Sequence, residues 1–207
     1  MKPFPLFSLL IFIFPMIGHT QSDSAVVKKL YGIKSCKIVF KFYNGPQSGV
    51  KTIIFDDWGN MEKEEVITFS DTAIMGKALR QLSGGKFHDT IPGVQHNLRI
   101  RTAQEIYTID VSQQVGYKTR SFALFDQTTM MNSMTTAVGT DTLLGKPCRI
   151  VEMQHAFRLW MWDNIALKKQ LVQEVPDMKM EEYAIEVDDN YVIKPDEFTV
   201  PANIKIQ

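Results

Sequence analysis

From residue 36 onward, apolar and polar side chains mostly alternate with the period of two expected of β-strands. In "CKIVFKFY", Cys36, Ile38, Phe40 and Phe42 fall on one face, and Lys37, Val39, Lys41 and Tyr43 on the other. "NGPQSG" then interrupts the pattern, and "VKTIIFDDW" and "EKEEVITF" resume it on either side of "DWGN". Asp, Asn and Gly accept tight backbone conformations, so this pair predicts a hairpin. "HNLRIRT" with "EIYTIDVSQQVGYKTR" predicts a second strand pair, one face apolar through Leu98 and Ile100, the other wet through Arg99 and Arg101. "GKPCRIVEM", "AFRLWMWDNIALKKQLVQEV" and "EEYAIEVDD" add further strands. Pro195 and Pro201 place the tail at a sheet edge or in extended coil.

The period changes twice. Ile74, Ala78 and Leu82 recur at spacing four beside Met75 and Leu79. Asp71 is placed to cap and Gly84-Gly85 to stop, so a helix is expected over 71–82. "FDQTTMMNSMTTAVG" predicts a second helix, capped by Asp126, ended by Gly139, with Met130, Met131 and Met134 on one side. Three hairpins share one pattern, in which a strand ends at Asp and its return carries Lys: "IIFDDWGNMEK", "YTIDVSQQVGYK" and "WMWDNIALK". The expected fold is mainly β (α+β), a meandering antiparallel sheet with about two inserted helices.

The chain has 207 residues, with 23 Lys+Arg against 23 Asp+Glu. No basic stripe suits nucleic acid. "MKPFPLFSLLIFIFPMIGHTQS" joins a basic start, a short apolar run from Leu6 to Ile17 and a small or polar exit, the features of a secretory leader. The run is too short to cross about 30 Å of hydrocarbon as a helix. Residues 1–20 are therefore expected to be removed and 21–207 to form one exported domain, periplasmic or secreted; an uncleaved anchor is the alternative. Such a compartment permits a disulfide between Cys36 and Cys148, and two buried thiols are the other reading.

The ordered words "FDDWGNMEK", "YTIDVSQQVGYK", "LLGKPCRIVEM", "LWMWDNIALK" and "DEFTVPANIKI" resemble a poorly characterised family of proteins exported by Gram-negative bacteria. Its members carry "YFDDYGxK" and "YxIDLxxxxGxK" hairpins, a "GxxCxxY" strand, a "WxxGIPLK" element and a closing "F-x-Pro" segment. Here Trp58, Asn164 and Ala166 stand where that family has Tyr, Gly and Pro. The resemblance runs from Ile33 to Ile206. It implies the half-barrel of outer-membrane lipoprotein carriers (the LolA/LolB type), a curved antiparallel sheet with helices on the concave side, and, by analogy, binding of acyl chains. It implies no catalytic residue.

No reaction chemistry is expected. His88, His96 and His155 lack zinc spacing, and Ser35, Ser83 and Ser121 lack a nucleophile elbow. Asp56 and Asp57 are adjacent and belong to a turn; Glu186–Asn190 lacks the spaced ligands of a calcium loop; "MEKEE" reads as a solvated strand start. In "RLWMW", Trp160 and Trp162 share one face and Leu159 and Met161 the other, leaving no solvated side. Core packing is the plainer reading of this strand; a membrane-interface belt is another. The functional reading is an apolar cavity lined by Phe40, Phe42, Ile54, Trp58, Met130, Met134, Trp160 and Trp162. The expectation is a non-enzymatic carrier for a lipid or lipidated chain. It would be monomeric, without cofactor or metal, with transient outer-membrane contact; an envelope interaction protein with a filled core is the alternative.

Overall fold

The computed structural model describes residues 29–86, 92–120, 135–153, 156–172 and 180–207. The leader, Ser121, Asp126, Met130, Met131, Met134, His88 and His155 lie outside them. The hairpins form where the alternation breaks: β1 (Cys36–Asn44) returns as β2 (Gln47–Asp56), and β2 as β3 (Met61–Ser70) through a turn at Asp57–Gly59. Helix α1 (Thr72–Leu82) follows. Asp71 caps it as expected, its carboxylate accepting from the N–H groups of Ala73 and Ile74. Then come β4 (Val94–Arg101), β5 (Glu105–Asp110), β6 (Val115–Arg120), β7 (Thr135–Leu143), β8 (Lys146–Met153), β9 (Phe157–Trp162), β10 (Ile165–Leu171), β11 (Met180–Asp188) and β12 (Lys205–Ile206). They make one unclosed sheet in the order β12-β6-β5-β4-β3-β2-β1-β11-β10-β9-β8-β7. It is antiparallel except where β12 runs parallel to β6. Register shifts between β1 and β11, β9 and β10, and β7 and β8 add local twist, which curls the sheet.

Three expectations are corrected. Among the described residues there is one α-helix, not two. The segment expected to end a helix at Gly139 is strand β7 from Thr135 onward, because Thr136, Val138, Thr140 and Thr142 are stiff β-branched residues that fit a pleat. Nor does α1 close the sheet: Gly76 is its only buried residue. The break at "NGPQSG" is also shorter than its composition suggests, since β2 already begins at Gln47.

The ladders from β1 to β6 have no register shift, so directly opposed residues share a face across them. One face carries Cys36, Ile38, Phe40 and Phe55 of the larger core cluster, which also takes in Cys148, Trp160, Trp162, Ile165 and Leu167. The opposite face carries Leu98, Ile100 and Ile109, covered by Phe198, Val200 and Ile204 of the tail. The sheet thus buries different faces along its width. Gly116 makes the tail contact close: a Cβ there would stand 2.9 Å from both Ile109 and Ile206.

The segment before β1 ties the sheet together at its turn end. The N–H groups of Leu30 and Tyr31 donate to the Trp58 carbonyl, and that of Gly32 to the Asp163 carbonyl. Tyr31 packs on Phe55, ring centroids 4.4 Å apart, and its hydroxyl donates to Glu62 at 2.6 Å. Arg101 donates to the same carboxylate at 2.9 Å and to the Gly59 carbonyl at 2.6 Å. Glu62 and Arg101 were expected in water; both are buried, as a pair. A period-two pattern assigns a face, and the face at this row is covered.

Candidate functional site

The pairings Gly49–Phe42, Phe42–Glu182, Glu182–Lys169 and Lys169–Leu159 set one row of side chains across β2, β1, β11, β10 and β9. Gly49 lets the Phe42 ring cross β2, because a Cβ there would come within 2.6 Å of that ring and 2.2 Å of the Ile67 carbonyl. Beside this row, Phe42, Phe157 and Met180 wall a groove of about 160 Å³ whose polar lining includes Lys169, Glu181 and Glu182. Phe40, in the next row, is fully buried.

Lysines cover the aromatic surfaces. Lys51 lies 4.7 Å from the Phe40 ring centre, Lys169 4.4 Å from Phe157, Lys168 4.7 Å from Trp160 and Lys146 4.8 Å from Trp162. Each brings its ammonium group over a ring, where cation–π attraction adds to the contact. Three of them are held by acids: Lys51 by Glu182 at 2.5 Å, Lys146 by Asp189 at 2.6 Å and Lys168 by Glu181 at 3.4 Å. The hydrogen bond from Lys146 holds the Asp189 carboxyl below its ordinary range. At the groove, the arrangement can hold an apolar group against Phe42 and Phe157 and place the Lys169 ammonium beside it.

The residues named from sequence separate into groups. Phe42 lines the groove, whereas Phe40 is buried in the larger core cluster and does not line it. Trp160 and Trp162 are buried in the same cluster as Phe40, and the Trp160 indole N–H donates to Asp141 at 3.0 Å. Leu159 is buried as well, so β9 is bulky and covered on both sides. Ile54 faces the other way, in the row Lys37–Ile54–Lys63–Ile100. The tail crosses that row: Lys37 lies over Tyr191, and Lys63 and Tyr191 both bond Glu197. Trp58 sits in the β2–β3 turn beneath Lys29, nine residues along the chain from Gly49 and roughly 30 Å away at strand rise. Phe157, Met180 and the four lysines were not picked out from the sequence. Their signal is cross-strand register, which needs the order β1-β11-β10-β9. The Asp–turn–Lys pattern held part of it, since Lys168 caps Trp160.

Cys36 and Cys148 are thiols buried in the larger cluster. Burial pushes Cys36 up to about 12, so almost no thiolate exists at neutral pH. Among the described residues, no three His, Cys, Asp or Glu side chains converge as a metal site.

No protein-family model and no curated protein sequence matches the chain. Among solved structures it is similar to an uncharacterized conserved protein from Thermus thermophilus, with 8% identity and a TM-score of 0.52 over 84% of this chain and 90% of that one. It is also similar to MucB in complex with MucA(peri), with 14% identity and a TM-score of 0.45 over 82% of this chain and 55% of that one. For the MucA/MucB complex of Pseudomonas aeruginosa the values are 14% and 0.46, over 84% and 58%. The chain thus spans little more than half of those MucB-complex chains. At such identities the likeness to the Thermus protein shows a shared fold and nothing of activity.

Proposed function

We propose that this chain is an exported, non-enzymatic binding or carrier protein of the cell envelope, and that its groove takes an apolar ligand, a lipid or a lipidated chain. The observation that carries the reading is the groove itself: Phe42, Phe157 and Met180 form its walls, and Lys169 lies over the Phe157 ring in its lining. Small-molecule sites are typically apolar concavities with a few convergent polar groups, and about 300–1,000 Å³ in size. This groove is smaller, which suits the end of an acyl chain rather than a whole lipid.

Organic extraction of the purified protein followed by mass spectrometry tests the reading. Acyl species should be recovered at close to one per protein, and sharply less from Phe157→Gln or Met180→Gln. Tyr117→Gln, at an exposed position on β6, should keep its load. An empty protein, or a load indifferent to the groove variants, would refute it.

One observation favours an interaction protein instead. Edge strand β7 is exposed from Thr136 to Thr142 and has no second strand neighbour among the described residues. Such an edge presents unsatisfied backbone groups to which an extended segment can add. An empty groove in the extraction experiment would make this the leading reading.

A further inference from the structure

The sheet face that the tail crosses is covered by the tail at one end and bare at the other. At the bare end, Tyr43, Ser48, Phe69 and Val94 form one row across β1 to β4, about six residues or roughly 20 Å from the row the tail crosses. In that row Tyr43 is 37% exposed, Phe69 50% and Val94 55%. Helix α1 leaves this rim directly after β3, with Ile74 57% and Leu82 85% exposed. Of ten exposed large hydrophobic residues among the described ones, three stand in this row and two on α1. Ile74, Ala78 and Leu82, spaced by four, place an exposed apolar stripe along α1.

The charges beside this surface have one sign. Lys77, Arg80 and Lys86 are exposed, none is in an ion pair among the described residues, and no acidic residue lies between Thr72 and Lys86. Lys41 stands exposed in the neighbouring row of the same face. The nearby acids are engaged: Asp71 caps α1, Glu65 bonds His96, and Glu181 bonds Lys168. An apolar stripe flanked by cations is the pattern of a helix that lies in a bilayer interface, drawn by anionic headgroups. No described helix is long and apolar enough to cross a membrane.

We propose that the rim of Tyr43, Phe69 and Val94, together with the exposed stripe of α1, docks on an anionic lipid bilayer surface. Tyr43 also lines the groove, so rim and groove adjoin on β1; the docking surface is otherwise built from Phe69, Val94 and α1, and the inference does not depend on the groove holding a ligand.

Flotation of the purified protein with vesicles tests it. The protein should float with phosphatidylcholine vesicles containing phosphatidylglycerol, more weakly as salt is raised, and poorly with phosphatidylcholine alone. The double variant Ile74→Gln/Leu82→Gln should lose about tenfold or more in partitioning, because it removes two apolar anchors. Lys77→Gln/Arg80→Gln should fall toward the level on neutral vesicles. Both pairs change exposed side chains, and unaltered circular dichroism will verify their folding. Equal binding to both vesicle types, no binding, or binding indifferent to either double variant would overturn the proposal. So would a native dimer that Ile74→Gln/Leu82→Gln converts to monomer, since the rim would then be a self-interface.

Discussion

Replacing Arg101 with Met will lower folding stability by about 3–5 kcal/mol, the loss expected when a buried carboxylate is left without its cation. Arg101 is 4% exposed and Glu62 6%, and among the described residues Glu62 would keep the Tyr31 hydroxyl as its hydrogen-bond donor. The effect reaches beyond the pair. Arg101 also donates to the Gly59 carbonyl, and Tyr31 belongs to the segment that bridges the β2–β3 and β9–β10 turns. In a domain of this size the midpoint of thermal unfolding should fall by roughly 6–20 °C. Urea unfolding followed by circular dichroism gives the free energy. The double variant Arg101→Met/Glu62→Leu should be more stable than Arg101→Met alone, because it removes the stranded charge. A loss below about 1 kcal/mol for the single variant would show that the pair is solvated.

The second large effect is at Phe40. Truncation to Ala should cost about 3–5 kcal/mol, the range for a large side chain removed from a packed core. Phe40 is 1% exposed within the cluster that joins β1, β2, β9 and β10. Phe42, two residues on and on the same face, is half-buried at the groove. Phe42→Ala should therefore cost much less, about 1–2 kcal/mol, in proportion to the area it covers. The contrast between these neighbours, measured in one urea series, places the boundary between core and groove. Equal costs would mean that the groove wall is itself core.

Local chemistry is what the sequence made legible. Both residues of the β9–β10 turn, Asp163 and Asn164, have positive φ, as a tight two-residue hairpin requires, and Asn tolerates this where the resembled family has Gly. The Asp71 cap, the "DWGN" turn and the doubly buried β9 were likewise readable from a few neighbouring residues. What could not be read is what depends on partners distant in sequence. Nothing local says that β11 inserts between β1 and β10, yet that insertion brings Lys169 and Glu182 beside Phe42. Ile54 and Phe55 are both buried because the tail covers one face of β2 and the main core the other, so alternation alone could not assign Ile54 to a cavity. Arg101 and Glu62 read as solvated for the same reason: a charge pattern does not reveal a covering segment some 30–70 residues away in sequence. The exposed rim at α1 reads from sequence as an ordinary core-facing helix, because spacing shows amphipathicity but not what the apolar stripe meets.

The groove is the centre of this account, and Met180 is its most direct reporter. With the methionine methyl groups labelled with carbon-13, titration by dodecanoate below its micellar concentration should shift the Met180 resonance saturably. Met61, at the β2–β3 turn far from the groove, should stay in place. A Met180 signal that does not move, or that drifts without saturation alongside Met61, would contradict the assignment of the Phe42–Phe157–Met180 groove as an acyl-chain site.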